Sequence, residues 1–341
     1  MKGVVLPGDK TLELRDFPTP EPGPGEVLIQ MKVSGLCGSD LHFYRTPKDQ
    51  VPSFSQGIIR GHEPCGVVVK LGPCARNVKV GDRVMVQHYF TCGTCEYCRS
   101  GWIHFCKQAR VMGTHAHGSH ADYMISPDTS CVKLPDELSF EEGAILACGM
   151  ATVWQALLQL DVSGRDTLVI FGQGPVGISA TMLAKTMGTR VITVDTLKER
   201  LDLSKEVGAD VTINTLDGDP VDAIMKLTDG KGADATMDTS GSDQGRINCF
   251  RCSKICGKVS LVGERGVTPF DISALFLRKQ ITIYGVWTFS LPGLINAADF
   301  VVKHKLPLKK MISHRFPITR ADEAFKMFNS GKTNKVLFVW P

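Results

Sequence analysis

The sequence predicts an α/β protein in two parts, a β-rich first part and a second part built on a doubly wound, six-stranded parallel sheet. Three observations carry this. A chain of 341 residues is long enough for about two domains, each with its own core. Up to about residue 135, short β-prone runs are punctuated by Gly and Pro. After Cys148, strand-like and helix-like runs alternate, as they do when helices cross between parallel strands.

Taken in order, Glu26 to Lys32, Gly66 to Lys70 and Arg83 to Gln87 read as strands of the first part. Gly143 to Trp154 is mostly apolar but shorter than the roughly 20 residues of a membrane-spanning helix, so it predicts a buried helix. The second part supplies strands at Thr167 to Phe171, Arg190 to Asp195, Val211 to Asn214, Ala235 to Asp238, Lys258 to Val262 and Ile281 to Tyr284. Between the first two, Pro175 to Met187 puts Val176, Ala180, Leu183, Ala184 and Met187 on one helical face, and Gly188 is a stop signal. Leu197 to Val207 repeats that pattern. From Trp287 the alternation ends, and helix-like Arg320 to Asn329 and strand-like Lys335 to Val339 have no further βα partner. The expected boundaries are therefore 1–149, 150–286 and a tail, 287–341, that rejoins the first domain.

Hydrophobic residues at 43% and charged residues at 22% exclude a disordered or low-complexity chain. The 39 Lys and Arg nearly balance 35 Asp and Glu, and no basic run exceeds two residues, so neither nucleic acid nor a membrane is an expected partner. Pro7 interrupts the start before an apolar signal-peptide core can form, which predicts a cytoplasmic location. In a reducing compartment, 12 Cys point to metal ligation before disulfides.

Cys92, Cys95, Cys98 and Cys106 form C-x2-C-x2-C-x7-C, with Gly93 and Gly101 allowing a tight fold. Four thiolates suit tetrahedral Zn2+ and fill every coordination position, so this loop predicts a structural zinc site that cannot catalyse. Gly172-Gln173-Gly174-Pro175-Val176-Gly177 follows a predicted strand and opens a predicted helix, the setting in which G-x-G-x-x-G binds a dinucleotide pyrophosphate. Asp195 ends the next strand, where a carboxylate accepts ribose hydroxyls and repels a 2′-phosphate, favouring NAD over NADP. Lys198 and Arg200 nearby argue the other way.

Cys37, His62 and Cys148 stand apart, and spacing alone does not join them. Together with Cys37-Gly38-Ser39-Asp40, Gly61-His62-Glu63, the four-Cys loop and the glycine motif, however, the whole chain resembles the zinc-dependent medium-chain alcohol dehydrogenases. That resemblance implies a GroES-like catalytic domain, a Rossmann NAD-binding domain and two Zn2+ per chain. It implies that Cys37, His62 and Cys148 hold a catalytic zinc, with Glu63 a catalytic neighbour that can ligate when water or substrate leaves and Asp40 orienting His62. Three protein ligands leave a position where an alcohol oxygen can bind.

By the same resemblance Ser39 and His42 relay the alcohol proton, and Thr152 and Val176 back the nicotinamide. Arg200 contacts the adenosine ribose, and Lys335 helps to neutralise the pyrophosphate, because Gly38 stands where some relatives carry Arg or His. The implied substrate is a primary or secondary alcohol or the corresponding ketone; Gly38 to Tyr44 looks polyol-like, whereas some polyol dehydrogenases carry Glu in place of Cys148. A homo-oligomer, dimer or tetramer, is implied as well. His88, His115, His117 and His120 are read as loop residues bordering the substrate cleft, and Cys249, Cys252 and Cys256 as buried thiols at helical spacing. The rival readings are a zinc-ribbon nucleic-acid binder, which leaves the glycine motif unexplained, and a catalytically inactive nucleotide-binding relative.

Overall fold

In the computed structural model, which describes residues 1–264 and 266–341, the chain begins with a hairpin of β1 (Lys2–Gly8) and β2 (Thr11–Asp16). Asp9 and Lys10 close it at φ 51° and 58°, the positive values a two-residue I′ turn requires. The long β3 (Glu26–Gly35) leads into α1 (Gly38–Arg45), then β4 (Pro64–Leu71) and β5 (Arg83–Val86). β6 (Tyr89–Phe90) and β7 (Arg110–Val111) pair antiparallel as the stem of the four-Cys loop, which carries the short α2 (Glu96–Arg99). β8 (Tyr123–Pro127) and β9 (Cys131–Lys133) follow.

α3 (Phe140–Ile145) starts at a capping box in which Ser139 and Glu142 satisfy each other's backbone N–H groups. It continues as a π-turn, Leu146–Met150, and then as α4 (Ala151–Leu160). Together these form the one described helix long and apolar enough to cross a membrane, longer than the 12-residue run suggests. The stretch is 72% buried inside the protein, as a core helix is.

Next come β10 (Thr167–Phe171), α5 (Pro175–Thr186), β11 (Arg190–Asp195), α6 (Lys198–Glu206), β12 (Val211–Asn214), α7 (Pro220–Leu227) and β13 (Ala233–Asp238). α8 (Asp243–Cys252), β14 (Ser253–Leu261) and β15 (Thr282–Gly285) complete a six-stranded, all-parallel sheet ordered β12-β11-β10-β13-β14-β15. That is the doubly wound order, with the reversal between β10 and β13. Val169, Phe171, Ile192 and Val194 bury its centre against Val221, Ile224 and Phe250.

The tail forms α9 (Leu291–His304), β16 (Ile312–Phe316), α10 (Ala321–Asn329) and β17 (Lys335–Val339). β17 pairs antiparallel with β3, adding itself and β16 to a sheet ordered β16-β17-β3-β4-β5-β9, with β8 also on β3. The chain thus divides into one unit of Met1–Ala151 with Phe289–Pro341 and another of Thr152–Thr288. One expectation fails: Cys249 and Cys252 are fully buried on α8, but Cys256 is exposed. The helix stops at Cys252 and runs straight into β14, so helical spacing no longer governs Cys256, which sits at φ 57°.

Candidate active site

Three segments of the first unit bring Cys37, His62, Glu63 and Cys148 together, one donor atom of each lying within 4.8 Å of the others. Cys37 is the N-cap of α1, where the Asp40 carboxylate accepts its backbone N–H at 2.9 Å. His62 and Glu63 precede β4, after Gly61 at φ 92°. Cys148 lies on the π-turn, whose extra residue re-aims a side chain that a regular helix would carry elsewhere.

The electrostatics are those of a cation site. The hydrogen bond from the Cys148 thiol and the charge on His62 push the Cys37 thiol well down despite burial, and the same pairing with burial pushes Cys148 well up. Burial alone would lower His62, but the Cys37 thiolate and Asp40 outweigh it and raise the imidazole to about 10. Burial pushes Glu63 up to about 7 against the opposing charge of Lys335. Two thiols and an imidazole form a soft donor set that suits zinc. His62 Nδ1 faces Asp40 Oδ1 at 3.7 Å, while Nε2 lies 3.3 Å from Ser39 Oγ. With Nδ1 turned to Asp40, Nε2 is the nitrogen that could ligate a cation.

Lys335 departs from expectation. Only 3% exposed, it forms an ion pair with Glu63 and donates to Leu36 O at 3.1 Å, so its charge is committed inside the donor cluster and not to a pyrophosphate. A charge this deeply buried must be paired, and Glu63 is its partner. Ser39 and His42 lie one turn apart on α1, Ser39 half-buried and His42 exposed.

On the β6–β7 stem, Cys92, Cys95, Cys98 and Cys106 form the second donor cluster among the described residues. Sγ–Sγ separations of 3.9 Å (Cys92 to Cys98), 3.5 Å (Cys95 to Cys98) and 3.6 Å (Cys92 to Cys106) match the edge of about 3.8 Å of a tetrahedron with Zn–S near 2.3 Å. His88, His115, His117 and His120 join neither cluster.

The second unit holds a cavity of about 600 Å³ at the carboxyl ends of its strands, lined by Gly172, Gly174, Asp195, Arg200, Ser240 and Arg251 among others. Gly172 turns at φ 90°, and a Cβ on Gly177 would lie 1.9 Å from Gly172 O, so only glycine permits this approach of helix to strand. Gly174 caps α5 and Pro175 opens it, with Val176 half-buried in the first turn. Asp195 Oδ2 accepts Gln173 N–H at 2.6 Å and Oδ1 accepts the N–H groups of Thr196 and Leu197, fixing the carboxylate on the cavity wall. Arg200 Nη1 stands 3.8 Å from it, partly neutralised. Thr152 lies near the start of α4.

Sequence reading missed the surroundings of Asp40. His120, fully buried, sits 3.7 Å from Asp40 Oδ2, and Arg60, also fully buried, donates to Gly113 O and Ser55 O while resting 4.0 Å from the centre of the Phe43 ring. The Arg beside the Gly61-His62 pair was the available signal, because a charge there must be satisfied internally.

Comparison with known proteins gives consistent likenesses. Residues 23–136 match the family model of the alcohol dehydrogenase GroES-like domain, and residues 175–303 that of the zinc-binding dehydrogenases. The chain is 38% identical to an uncharacterized zinc-type alcohol dehydrogenase-like protein, YphC, of Escherichia coli (strain K12), over 100% of this chain and 99% of that one. It is 33% identical to the L-threonine 3-dehydrogenase of Pyrococcus horikoshii, covering 96% of this chain and 94% of that one. Among solved structures, the alcohol dehydrogenase TADH from Thermus sp. ATN1 superposes with a TM-score of 0.91 at 26% identity, covering 99% of each chain.

Proposed function

Because the chain belongs to the zinc-dependent medium-chain dehydrogenase family, we propose that it transfers a hydride between a primary or secondary alcohol, polyols included, and NAD. The observation that carries this reading is the convergence of Cys37, His62 and Cys148 from distant segments on one point.

Those three residues would hold a zinc whose remaining position supplies Lewis acidity, lowering the pKa of a hydroxyl placed there. Lys335 pairs with the Glu63 carboxylate and so competes with a cation for it, which favours three protein ligands and leaves that position open. Ser39 Oγ, beside His62 Nε2, takes the hydroxyl proton. His42, exposed one turn further along α1, releases it to solvent, a step that an imidazole is suited to. In the second unit the end of α5 presents backbone N–H groups and about half a positive charge for a pyrophosphate. Asp195 accepts ribose hydroxyls and repels a 2′-phosphate.

The test is NAD reduction against simple alcohols, sugar alcohols, sugar acids and hydroxy amino acids. Threonine comes first in the last class, because a relative named L-threonine 3-dehydrogenase covers nearly the whole chain. Turnover of one class that disappears in Cys37→Ala supports the reading; turnover surviving in that variant refutes the assigned chemistry.

A further inference from the structure

We propose that His120 is a positioning residue of the metal centre, fixing the Asp40 carboxylate and through it the ring of His62; this rests on the zinc-dependent reading above. His120 is 0% exposed on the segment just before β8. Its Nδ1 lies 2.8 Å from Ser34 Oγ, and Ser34 Oγ lies 2.7 Å from Ser119 Oγ. With the serine hydroxyl donating to Nδ1, the ring proton resides on Nε2, the nitrogen that faces Asp40 Oδ2 at 3.7 Å. The other carboxylate oxygen faces His62 Nδ1 at 3.7 Å, and Oδ2 also accepts the backbone N–H of Cys37 at 2.9 Å. One carboxylate thus touches the backbone of one ligand and the ring of a second, and His120 is the buried group behind it.

The ring cannot turn away. It stands edge-on to Phe338 at 5.0 Å and to Phe325 at 6.0 Å, so that side of the ring is walled by aromatic carbon. It also fills the space left by Gly61, where a Cβ would come within 2.4 Å of Nδ1. The backbone reinforces the contact: His120 N–H donates to Arg60 O at 2.8 Å and Ser119 N–H to Gly61 O at 3.1 Å, clamping the residues that present His62. The contacts of Asp40 with the two imidazoles, at 3.7 Å each, place one carboxylate between both rings.

The experiment follows zinc release from the holoenzyme to a chromogenic chelator, alongside thermal unfolding. The phase due to the His62 site is identified as the one that Cys37→Ser lacks. His120→Phe keeps the ring volume and removes both polar contacts; His120→Gln keeps a donor at the Nε2 position. The expected result is a 10- to 100-fold faster release in that phase for His120→Phe, with substantial recovery in His120→Gln and no change in the four-Cys phase. Ser34→Ala, which removes the donor to Nδ1 without altering the aromatic wall, accelerates the same phase in the same direction. Release at the wild-type rate in both His120→Phe and Ser34→Ala overturns the inference, and so does equal acceleration in His120→Phe and His120→Gln, which marks packing alone. A wild-type protein that lacks the His62-site zinc overturns the proposed function together with this inference; two zincs with unaltered release overturn the inference only.

Discussion

The proposed preference for NAD rests on a single side chain, Asp195. Its carboxylate is pinned by three backbone N–H groups, so it cannot swing away from a 2′-phosphate, and Arg200 at 3.8 Å offsets only part of its charge. Asp195→Ser is expected to lower the NAD-over-NADP ratio of kcat/KM by about 10- to 100-fold, roughly 1.4 to 2.8 kcal/mol; an unchanged ratio would remove Asp195 from cofactor choice. His117 makes a separate prediction about acid. Burial lowers its pKa, and its Nδ1 accepts the Ile59 N–H at 3.1 Å, a bond that protonation destroys. The unfolded chain therefore binds more protons than the folded one below about pH 6.5, and stability falls as pH falls through that value. Burial pushes His88 down to about 3 and lowers His104, and both act in the same sense. In unfolding measurements from pH 7.5 to 5, His117→Phe should show a shallower loss of Tm than the wild type; a parallel loss would show that His117 is not one of the groups responsible.

At the scale of elements, the turn from β10 into α5 is the least tolerant feature. Gly177→Ala places a Cβ against Gly172 O with no flexible side chain to yield, so nucleotide binding should be lost, with a stability cost of about 1 to 3 kcal/mol. Calorimetric titration with NAD checks this, and binding at wild-type strength would mean that the backbone relaxes. This turn was legible in the sequence because strand, turn glycines and helix are contiguous and each follows a local rule. The strands from Thr167 to Asn214 were legible in the same way, with bounds that match residue for residue. The start of β14 was not legible, since α8 passes into it with no Gly or Pro between. The π-turn at Cys148 left no periodic signal either, because its apolar residues fit a regular helix equally well. The convergence of Cys37, His62 and Cys148 was reachable only through likeness to known proteins. The roles of His120 and Lys335 were not reachable, because sequence separation hides which buried charges meet: Lys335 lies on β17, brought to Glu63 by its pairing with β3.

For the molecule as a whole, the two donor clusters play opposite physical parts. In the four-Cys loop, four thiolates would saturate an ion and so tie down a segment whose own strands, β6 and β7, are only two residues each. The proposed cluster at Cys37 would stop at three ligands, because Lys335 is paired with the fourth candidate, Glu63. Metal analysis of the purified protein, with and without Cys37→Ser, tests this division most directly. The account predicts two zinc ions per chain in the wild type, and one in the variant, which remains folded and no longer reduces NAD. A variant that keeps both ions, or that loses one and still turns over the alcohol, would contradict it.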